Sequence, residues 1–299
     1  MKNKVINKNL GTNNVITCDN INILVGQKKN NSVLIKNFSY AFKKHKIYAI
    51  VGSSGVGKTT LVNHFNGLAK TSQGNIFIKD KSILGAQKKV KQYKAIRKDV
   101  GLVFQFPEYQ LFKDTVEKDI AFGPINYHVN KKIAYKLASK YMYLVGLDNS
   151  LLHANPFDLS NGQKRLVAIA GILSLDTDVV VLDEPTAGLD PFYQKKILNI
   201  IKDLKKQGKT IIIITHNMDH VLELADEVLV LHDHKLLVSG KPYQVLKNNQ
   251  LTHKVGLAQP KVIWTVNQLV KLNKAYGYLN KVQPRNLDEL VSYLKKGGQ

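Results

Sequence analysis

The residues Gly52-Ser53-Ser54-Gly55-Val56-Gly57-Lys58-Thr59 form a glycine-rich segment that follows the apolar run Ile47–Val51 and precedes a helical pattern. A strand, a loop of this composition and a helix, in this order, are the context that a phosphate-binding P-loop requires. Its glycines allow successive backbone N–H groups to point at phosphate oxygens beside the positive end of the helix. We expect Lys58 to neutralise the outer phosphates, the Thr59 hydroxyl to bind Mg²⁺ and Thr60 to donate to an inner phosphate. The segment therefore predicts a nucleoside triphosphate site.

A second apolar run, Val179–Leu182, ends in two carboxylates, Asp183 and Glu184. A buried strand holds its last side chain rigidly, so we expect Asp183 to join the Mg²⁺ shell of the P-loop. Glu184 comes one residue later and is expected on the opposite side of the chain. There it is the candidate to orient or deprotonate the attacking water.

Short apolar runs that alternate with helical patterns predict an α/β fold whose mainly parallel sheet is covered on both faces. The predicted strands are Ile47–Val51, Val100–Phe104, Val179–Leu182, Ile211–Ile214 and Val228–Leu231. The predicted helices between them include Lys58–Leu68, Gly162–Leu173, Pro191–Gln207 and Met218–Ala225.

The remaining segments divide the chain further. Residues from about Ile16 to Lys46 and from Gly74 to Lys79 predict an antiparallel β subdomain. We predict a disordered tail over residues 1–14, one nucleotide-binding domain over 15–240 and a helical subdomain over about 106–165. Residues 241–299 are polar and helical in pattern, which predicts a small C-terminal helical region.

Composition narrows the class of protein. Among the 299 residues, 44% are hydrophobic, yet no apolar run reaches the roughly 18 to 20 residues of a membrane-spanning helix. The N-terminus lacks the apolar core of a signal peptide, and the single cysteine, Cys18, fits a reducing compartment. These features predict a soluble, cytoplasmic protein. The net charge of +22 is compatible with compositional drift, an anionic membrane surface or nucleic acid.

Further motifs carry a resemblance to a known family. Leu159-Ser160-Asn161-Gly162-Gln163-Lys164-Arg165 closely resembles the LSGGQ signature of ABC ATPases. Gln105, Ala187-Gly188-Leu189-Asp190 and His216 resemble, in order, the Q-loop glutamine, the D-loop and the switch histidine of that family. The resemblance covers roughly Ile16 to Gly240.

The resemblance implies two nucleotide-binding domains that face each other head to tail. Each ATP would lie between the P-loop of one subunit and the signature of the other, so Ser160, Gly162 and Gln163 would contact the partner's nucleotide. His216 would contact the γ-phosphate, and Gln105 would join Thr59 and Asp183 around Mg²⁺. The implied cofactors are ATP and Mg²⁺, and the implied catalytic residues are Lys58, Glu184 and His216.

Two positions depart from the family pattern. Asn161 replaces the first glycine of the signature pair, and we expect the loop to keep its shape because asparagine tolerates left-handed backbone angles. The adenine-stacking aromatic residue is missing from Ile21–Val25, and neither Tyr40 nor Phe42 is an expected replacement. Aliphatic packing against the base is expected instead.

The stretch after Val100 narrows the resemblance. The segment Phe106-Pro107-Glu108-Tyr109-Gln110-Leu111-Phe112 looks like the energy-coupling factor transporter ATPases, in the form of the second of two paralogues. That family implies a heterodimer of ATPases at the cytoplasmic face of the membrane. Its further partners are a transmembrane coupling protein and an interchangeable substrate-binding membrane subunit, which together take up a vitamin or transition-metal ion. We expect Phe106–Phe112 to form a groove for a coupling helix, since exposed aromatics are costly without a partner.

Two other functions remain as alternatives. The net charge of +22 is compatible with a DNA-maintenance ABC ATPase. Such proteins usually carry long coiled-coil heptads or zinc-binding cysteines between the motifs, whereas this sequence has one cysteine and no such heptads. A translation-associated ABC protein normally carries two nucleotide domains, whereas this chain has one set of motifs. No nucleic-acid partner is therefore expected.

Overall fold

A computed structural model describes residues 13–25, 32–69, 73–79, 81–84 and 91–297 of the chain. The predicted disordered tail lies almost entirely outside these residues. The described residues form ten strands: β1 (Asn14–Val25), β2 (Ser32–Lys43), β3 (Ile47–Gly52), β4 (Gln73–Ile78), β5 (Lys81–Leu84), β6 (Val100–Val103), β7 (Val179–Asp183), β8 (Thr210–Ile214), β9 (Glu227–His232) and β10 (Lys235–Gly240).

Helices connect these strands and form most of the second half of the chain. The α-helices are α1 (Lys58–Phe65), α2 (Lys91–Arg97), α3 (Val116–Asn126), α4 (Lys131–Leu144), α5 (Asn161–Leu173), α6 (Pro191–Lys206), α7 (Met218–Leu224), α8 (Pro242–Leu246), α9 (Asn249–Val255), α10 (Lys261–Leu272), α11 (Leu279–Val282) and α12 (Leu287–Gly297). Short 3-10 helices lie at Pro107–Gln110, Asn149–His153, Pro156–Asp158 and Lys274–Tyr278.

The larger sheet has the strand order β10-β9-β3-β8-β7-β6, and the five strands predicted from apolar runs are all in it. Those five are parallel, as predicted. Strand β10, which pairs antiparallel with β9, was not predicted. It is an edge strand whose residues alternate between exposed and half-buried, and its apolar run, Leu236–Val238, is only three residues long.

The smaller sheet has the order β2-β1-β4-β5 and is antiparallel throughout. This confirms the predicted antiparallel segment and adds β5 to it. The four helices predicted between strands are also confirmed, although α1 ends earlier than expected. Gly67, with φ 67°, follows Asn66 at the end of α1, and a left-handed glycine there stops the helix.

The larger sheet is covered on both faces, and its strands direct alternate side chains into two cores. In β3, Ile47, Ala49 and Val51 join a core with the helices α3 to α7, whereas Tyr48 and Ile50 join a core with α1 and the antiparallel sheet. Because all six residues of β3 are buried, the loop that follows it starts from a fixed point.

The C-terminal helices share the first of these cores. Leu246, Ile263, Leu279 and Leu290 are buried together with residues of the larger sheet and its helices. The division of the chain near residue 240 stays a prediction. In the described ranges, every helix is too short or too polar to cross a lipid bilayer.

Candidate functional site

The P-loop runs from the end of β3 to the start of α1, and its three glycines, Gly52, Gly55 and Gly57, have positive φ angles that side chains disfavour. Gly52 has φ 149° and Gly57 has φ 104°. A Cβ atom at Gly52 would lie 2.3 Å from the Leu231 carbonyl oxygen, and one at Gly57 would lie 2.9 Å from Ile35 Cδ1. The loop is therefore packed tightly against β9 and β2, and glycine is required at both positions.

Lys58 is 7% exposed, and its ammonium group lies inside the curl of the P-loop. Its Nζ donates to the carbonyl oxygens of Gly52 at 2.8 Å and Ser53 at 3.0 Å. Burial lowers the pKa of Lys58, and the carboxylates of Glu184 and Asp183 oppose that shift. The cation is thus held near the loop with little access to water.

Asp183 ends β7 at 2% exposure, directly beside the start of α1. The Thr59 hydroxyl lies close enough to interact with its carboxylate. Burial raises the pKa of Asp183, while Thr59 and Lys58 oppose the shift. A hydroxyl and a carboxylate in contact form the kind of oxygen-donor pair that Mg²⁺ prefers.

Glu184 departs from the strand alternation on which its expected direction rested. Its φ of 47° lies in the left-handed region, and its N–H donates to the Ile214 carbonyl oxygen at 2.9 Å. The turn brings Glu184 to the same cleft as Asp183, so its predicted placement on the opposite side of the chain is wrong. Burial raises the pKa of Glu184, which the backbone N–H of His216 opposes.

His216 follows β8 and faces Glu184 across the cleft. The distance from His216 Nε2 to Glu184 Oε1 is 3.4 Å, and within the described residues no hydrogen bond reaches that buried oxygen. Burial lowers the pKa of His216 and the Lys58 ammonium lowers it further, so the ring is mainly neutral at pH 7. The Glu184 carboxylate oxygen and the His216 ring can therefore each form a hydrogen bond with a molecule bound in the cleft.

An open cleft of about 1130 Å³ collects most of the predicted site residues. The predicted residues that line it are Ser54, Gly55, Gly57, Lys58, Thr59, Thr60, Gln105, Asp183, Glu184 and His216. Gly52 and Ser53 are outside the lining, but their carbonyl oxygens accept hydrogen bonds from Lys58. The side chain of Val56 is 4% exposed and points into the core, so only its backbone can face a phosphate.

The signature residues Ser160, Gly162 and Gln163 do not line this cleft. Ser160 caps α5: its Oγ accepts from the Gln163 N–H at 3.3 Å, and Gln163 Oε1 accepts from the Ser160 N–H at 2.9 Å. This reciprocal capping box occupies the Gln163 side chain and fixes Ser160 at an exposed helix start.

Asn161 is the first residue of α5 and is absent from the positions with positive φ. The expected reason for its tolerance, a left-handed backbone, is therefore wrong. Its backbone is helical, and its side chain is exposed beside Ser160.

Comparisons with known proteins decide the family. A family model described as ABC transporter matches residues 35–187. An energy-coupling factor transporter ATP-binding protein of Mycoplasma genitalium is 45% identical over 99% of this chain and 98% of its own length. One from Mycoplasma pneumoniae is 48% identical over 93% of this chain and 92% of its own.

The chain belongs to the ABC transporter family, among the energy-coupling factor ATP-binding proteins. It is accordingly an ATP-binding, ATP-hydrolysing transport subunit. The relatives named are transporter subunits, which favours transport over the two nucleic-acid alternatives.

Solved structures agree with this ABC ATPase fold. The cbiO1 protein of Clostridium perfringens, described as part of the ABC transporter complex cbiONQ, is 31% identical with a TM-score of 0.71, over 85% of this chain and 99% of that chain. A bacterial ABC transporter cassette solved as a dimer is 25% identical with a TM-score of 0.68, over 76% of this chain and 98% of that chain.

The cleft also contains three residues that the sequence did not assign to the site: Leu34, Ile214 and the D-loop residue Ala187. Leu34 is aliphatic, and it lies in β2 one residue from Ile35, which packs on Gly57. Phe42 is fully buried, and the Tyr40 hydroxyl donates to Glu227 at 2.6 Å, so neither ring is free to stack on adenine. Leu34 is the described residue that best fits the expected aliphatic contact.

Arg165 is a further functional candidate, whose contacts the sequence did not reveal. It is 2% exposed and makes a bidentate ion pair with Glu108, with N–O distances of 2.6 and 3.0 Å. Its Nη1 also donates to the carbonyl oxygen of Ala187 in the D-loop. One guanidinium therefore joins the signature helix, the Phe106–Phe112 segment and the D-loop. The available signal was that this last residue of the signature stretch is an arginine on the buried face of its helix.

The Phe106–Phe112 segment borders a groove of about 780 Å³ between α3 and α5. Phe112 lines it and meets Phe122 edge to face, with ring centroids 4.9 Å apart. Phe106 and Tyr109 lie outside the lining, at 41% and 85% exposure. The expected groove is present, but its aromatic wall is Phe112 with Phe122.

Proposed function

We propose that this chain pairs with a paralogous ATPase and drives uptake of a vitamin or transition-metal ion through a transmembrane coupling protein and a substrate-binding membrane subunit. The observation that carries the proposal is the separation of its two half-sites. The cleft holds the P-loop, Asp183, Glu184 and His216, whereas Ser160 and Gly162 lie outside it at the start of α5, where Ser160 is exposed and Gly162 is buried. Two chains placed head to tail would complete each cleft with the other's signature.

In this arrangement the backbone of Gly52 to Thr60 holds the ATP phosphates, with Lys58 against the outer ones. Thr59, Asp183 and Gln105 would hold Mg²⁺, for which their oxygen donors are suited. The metal would supply charge neutralisation at the phosphate oxygens.

Hydrolysis requires a base for the attacking water and a donor for the γ-phosphate. Glu184 suits the first role because its carboxylate is buried, close to the P-loop and only partly hydrogen-bonded. His216 suits the second role because a neutral ring carries one N–H that can donate to a phosphate oxygen. Gln163 acts indirectly, since its side chain is engaged in the capping box.

The membrane partner would dock at the groove bounded by Phe112 and Phe122. Gly123 and Gly171 leave room between α3 and α5, and Asp119 fixes the rim by accepting the N–H groups of Phe112 and Lys113. Arg165 then connects the adjoining Glu108 to the signature helix. Docking at the cytoplasmic face would in this way reach the residues that close on the partner's ATP.

The first test compares ATP turnover of the purified chain, of its heterodimer with the paralogue and of the full complex in lipid. We expect poor turnover from the lone chain and a rise per site at each step, because each cleft needs a signature from another subunit. Full activity of the lone chain at concentrations where it is monomeric would contradict the composite site.

The second test replaces Phe112 with Ser, and in a separate variant Phe106 and Tyr109 with Ser. We expect the Phe112 variant to bind ATP normally but to lose membrane association and uptake. The Phe106 and Tyr109 variant should lose less, since both rings lie outside the groove lining. Tyr143→Ser is the matched control, because Tyr143 is 81% exposed on α4 and away from the groove. Unchanged uptake in the Phe112 variant would mean that the partner docks elsewhere.

A further inference from the structure

Tyr193, in the first turn of α6, lies directly against the signature. A Cβ atom added to Gly162 would come within 2.3 Å of Tyr193 Cδ2, so the ring fills the space where a side chain of residue 162 would be. The Tyr193 hydroxyl oxygen lies 3.4 Å from Ser160 Oγ, and either group can donate. Neither the motif comparison nor the cleft assigns any role to this tyrosine.

The hydrogen-bond capacity of Ser160 gives the contact a direction. A serine hydroxyl has one proton and two acceptor positions. One acceptor position already receives the Gln163 N–H at 3.3 Å. If Tyr193 donates to the other, the Ser160 proton has no partner within this cap and points outward. A phosphate oxygen accepts hydrogen bonds, so an outward proton is the one it needs.

We propose that Tyr193 is a positioning residue of the signature, which orients Ser160 as a donor to the γ-phosphate that the partner subunit holds. The inference rests on the proposed composite site and deepens it. Its chemistry requires no bond to form or break in this chain.

The surroundings of Tyr193 hold it in place for this role. Its backbone N–H donates to Asp190 Oδ1 at 3.1 Å, and Asp190 is the last residue of the D-loop and the cap of α6. The ring also meets Phe192 with centroids 5.3 Å apart. Lys196 Nζ lies 5.9 Å from the Tyr193 ring centroid and donates to the Gly146 carbonyl oxygen at 2.8 Å. Tyr193 thereby links the D-loop, through its backbone N–H, to the signature, through its ring and hydroxyl group.

The test uses the full transporter complex in lipid, with one of its two hydrolytic sites silenced at a time. Glu184→Gln silences the cleft of this chain and leaves the partner's cleft, which this chain's signature completes. The corresponding change in the partner leaves only the cleft of this chain. Single-site ATP turnover is then measured for Tyr193→Phe, for Ser160→Ala and for the matched control Tyr143→Phe on the exposed face of α4.

We expect Tyr193→Phe to lower turnover in the partner's cleft roughly fivefold, the factor that one neutral hydrogen bond supplies. Turnover in the cleft of this chain should stay within about twofold of wild type. Equal losses in both clefts, or no loss in the partner's cleft, would overturn the inference. If Ser160→Ala also leaves turnover in the partner's cleft unchanged, the composite site itself is wrong. If Ser160→Ala lowers that turnover but Tyr193→Phe does not, the composite site stands and Tyr193 has no role in it.

A rescue experiment tests the packing independently. Gly162→Ala should lower turnover in the partner's cleft strongly because the new methyl group collides with the Tyr193 ring. Adding Tyr193→Ala to that variant should recover part of the loss, since it removes the obstacle. Thermal melting of each variant checks that both are folded. A double variant no better than Gly162→Ala alone would show that the ring does not determine the need for glycine.

Discussion

The signature surface, Ser160 to Gln163, and the cleft that holds the P-loop differ in charge and in burial. The cleft gathers charges that are buried: Lys58 is 7% exposed and Asp183 is 2% exposed. The signature surface is uncharged, and its capping box pairs Ser160 with Gln163; Ser160 and Asn161 are exposed, Gln163 is half-buried and Gly162 is buried. Burial lowers the pKa of Lys58 and raises the pKa values of Asp183 and Glu184. Each shift favours the neutral form, because the charged form is poorly solvated in the cleft.

In the composite site that we propose, this difference separates hydrolysis from recognition of the partner's nucleotide. A buried base and a buried cation become effective when phosphate and metal complete their environment. A preformed donor at a helix start needs only to meet a phosphate oxygen. Substitutions in the cleft should therefore slow hydrolysis of the ATP held by this chain, whereas substitutions at the signature should slow hydrolysis of the ATP held by the partner.

The largest expected effect is that of Lys58→Ala. The developing charge on the transferred phosphoryl group loses its fixed cation, so we expect turnover in this chain's cleft to fall about a hundredfold or more, with weaker ATP binding. The measurement is nucleotide binding and single-site turnover in the complex with the partner's site silenced. Lys206→Ala, at a lysine side chain that is 77% exposed, is the control. Near-normal turnover would contradict the P-loop assignment.

Glu184→Gln should bind ATP normally and slow hydrolysis about a hundredfold to ten-thousandfold, because an amide cannot accept the proton of the attacking water. An ATP-stabilised dimer should accumulate and be visible by size-exclusion chromatography. Because burial raises the pKa of Glu184 from its ordinary 4.5, wild-type turnover should decline with falling pH while the pH is still above that value. The variant's residual rate should lack this acid limb. Turnover within a few-fold of wild type would remove Glu184 from the role of base.

The sequence predicted the parts of the cleft that depend on local pattern. The P-loop, Asp183 and the five parallel strands each follow from a short run of residues whose environment is the same along its length. The direction of Glu184 did not follow, because strand alternation ends where its φ becomes 47°. Strand β10 was not predicted because its apolar run, Leu236–Val238, has only three residues and its place in the sheet depends on pairing with β9.

The signature surface was predicted as a motif but without its supports. Arg165 and Glu108 are 57 positions apart, and Ser160 and Tyr193 are 33 positions apart. No periodicity or spacing announces such contacts, since they depend on how α5 packs against the D-loop and the Phe106–Phe112 segment. The motif therefore predicted where the signature surface lies, whereas only the packing shows which residues hold it in place.

Glu108→Gln tests the link between the two regions. It leaves the 2%-exposed Arg165 without its counter-ion, and breaking a buried pair from one side costs about 3 to 5 kcal/mol of unfolding free energy. We expect a lower denaturation midpoint, and a weaker rise in turnover when the membrane partners are added. Asp203→Asn, in the exposed pair with Lys206, should change neither quantity. An unchanged response to the membrane partners, in a destabilised but folded variant, would limit Arg165 to a structural role.

The smallest expected effect is that of Asn161→Gly, which restores the usual glycine of the signature. Asn161 is helical and exposed, so glycine removes a side chain beside Ser160 without relieving any backbone strain. We expect turnover in the partner's cleft to stay the same or to rise by no more than about twofold, with a small loss of stability because glycine weakens a helix. Asn161→Ala separates the two causes, since it removes the amide and keeps the helical preference. A large loss of turnover in both variants, measured with this chain's cleft silenced by Glu184→Gln, would show that the Asn161 amide itself binds the partner's nucleotide. The signature surface would then carry a specific ligand of its own, and the contrast with the cleft would lie only in charge.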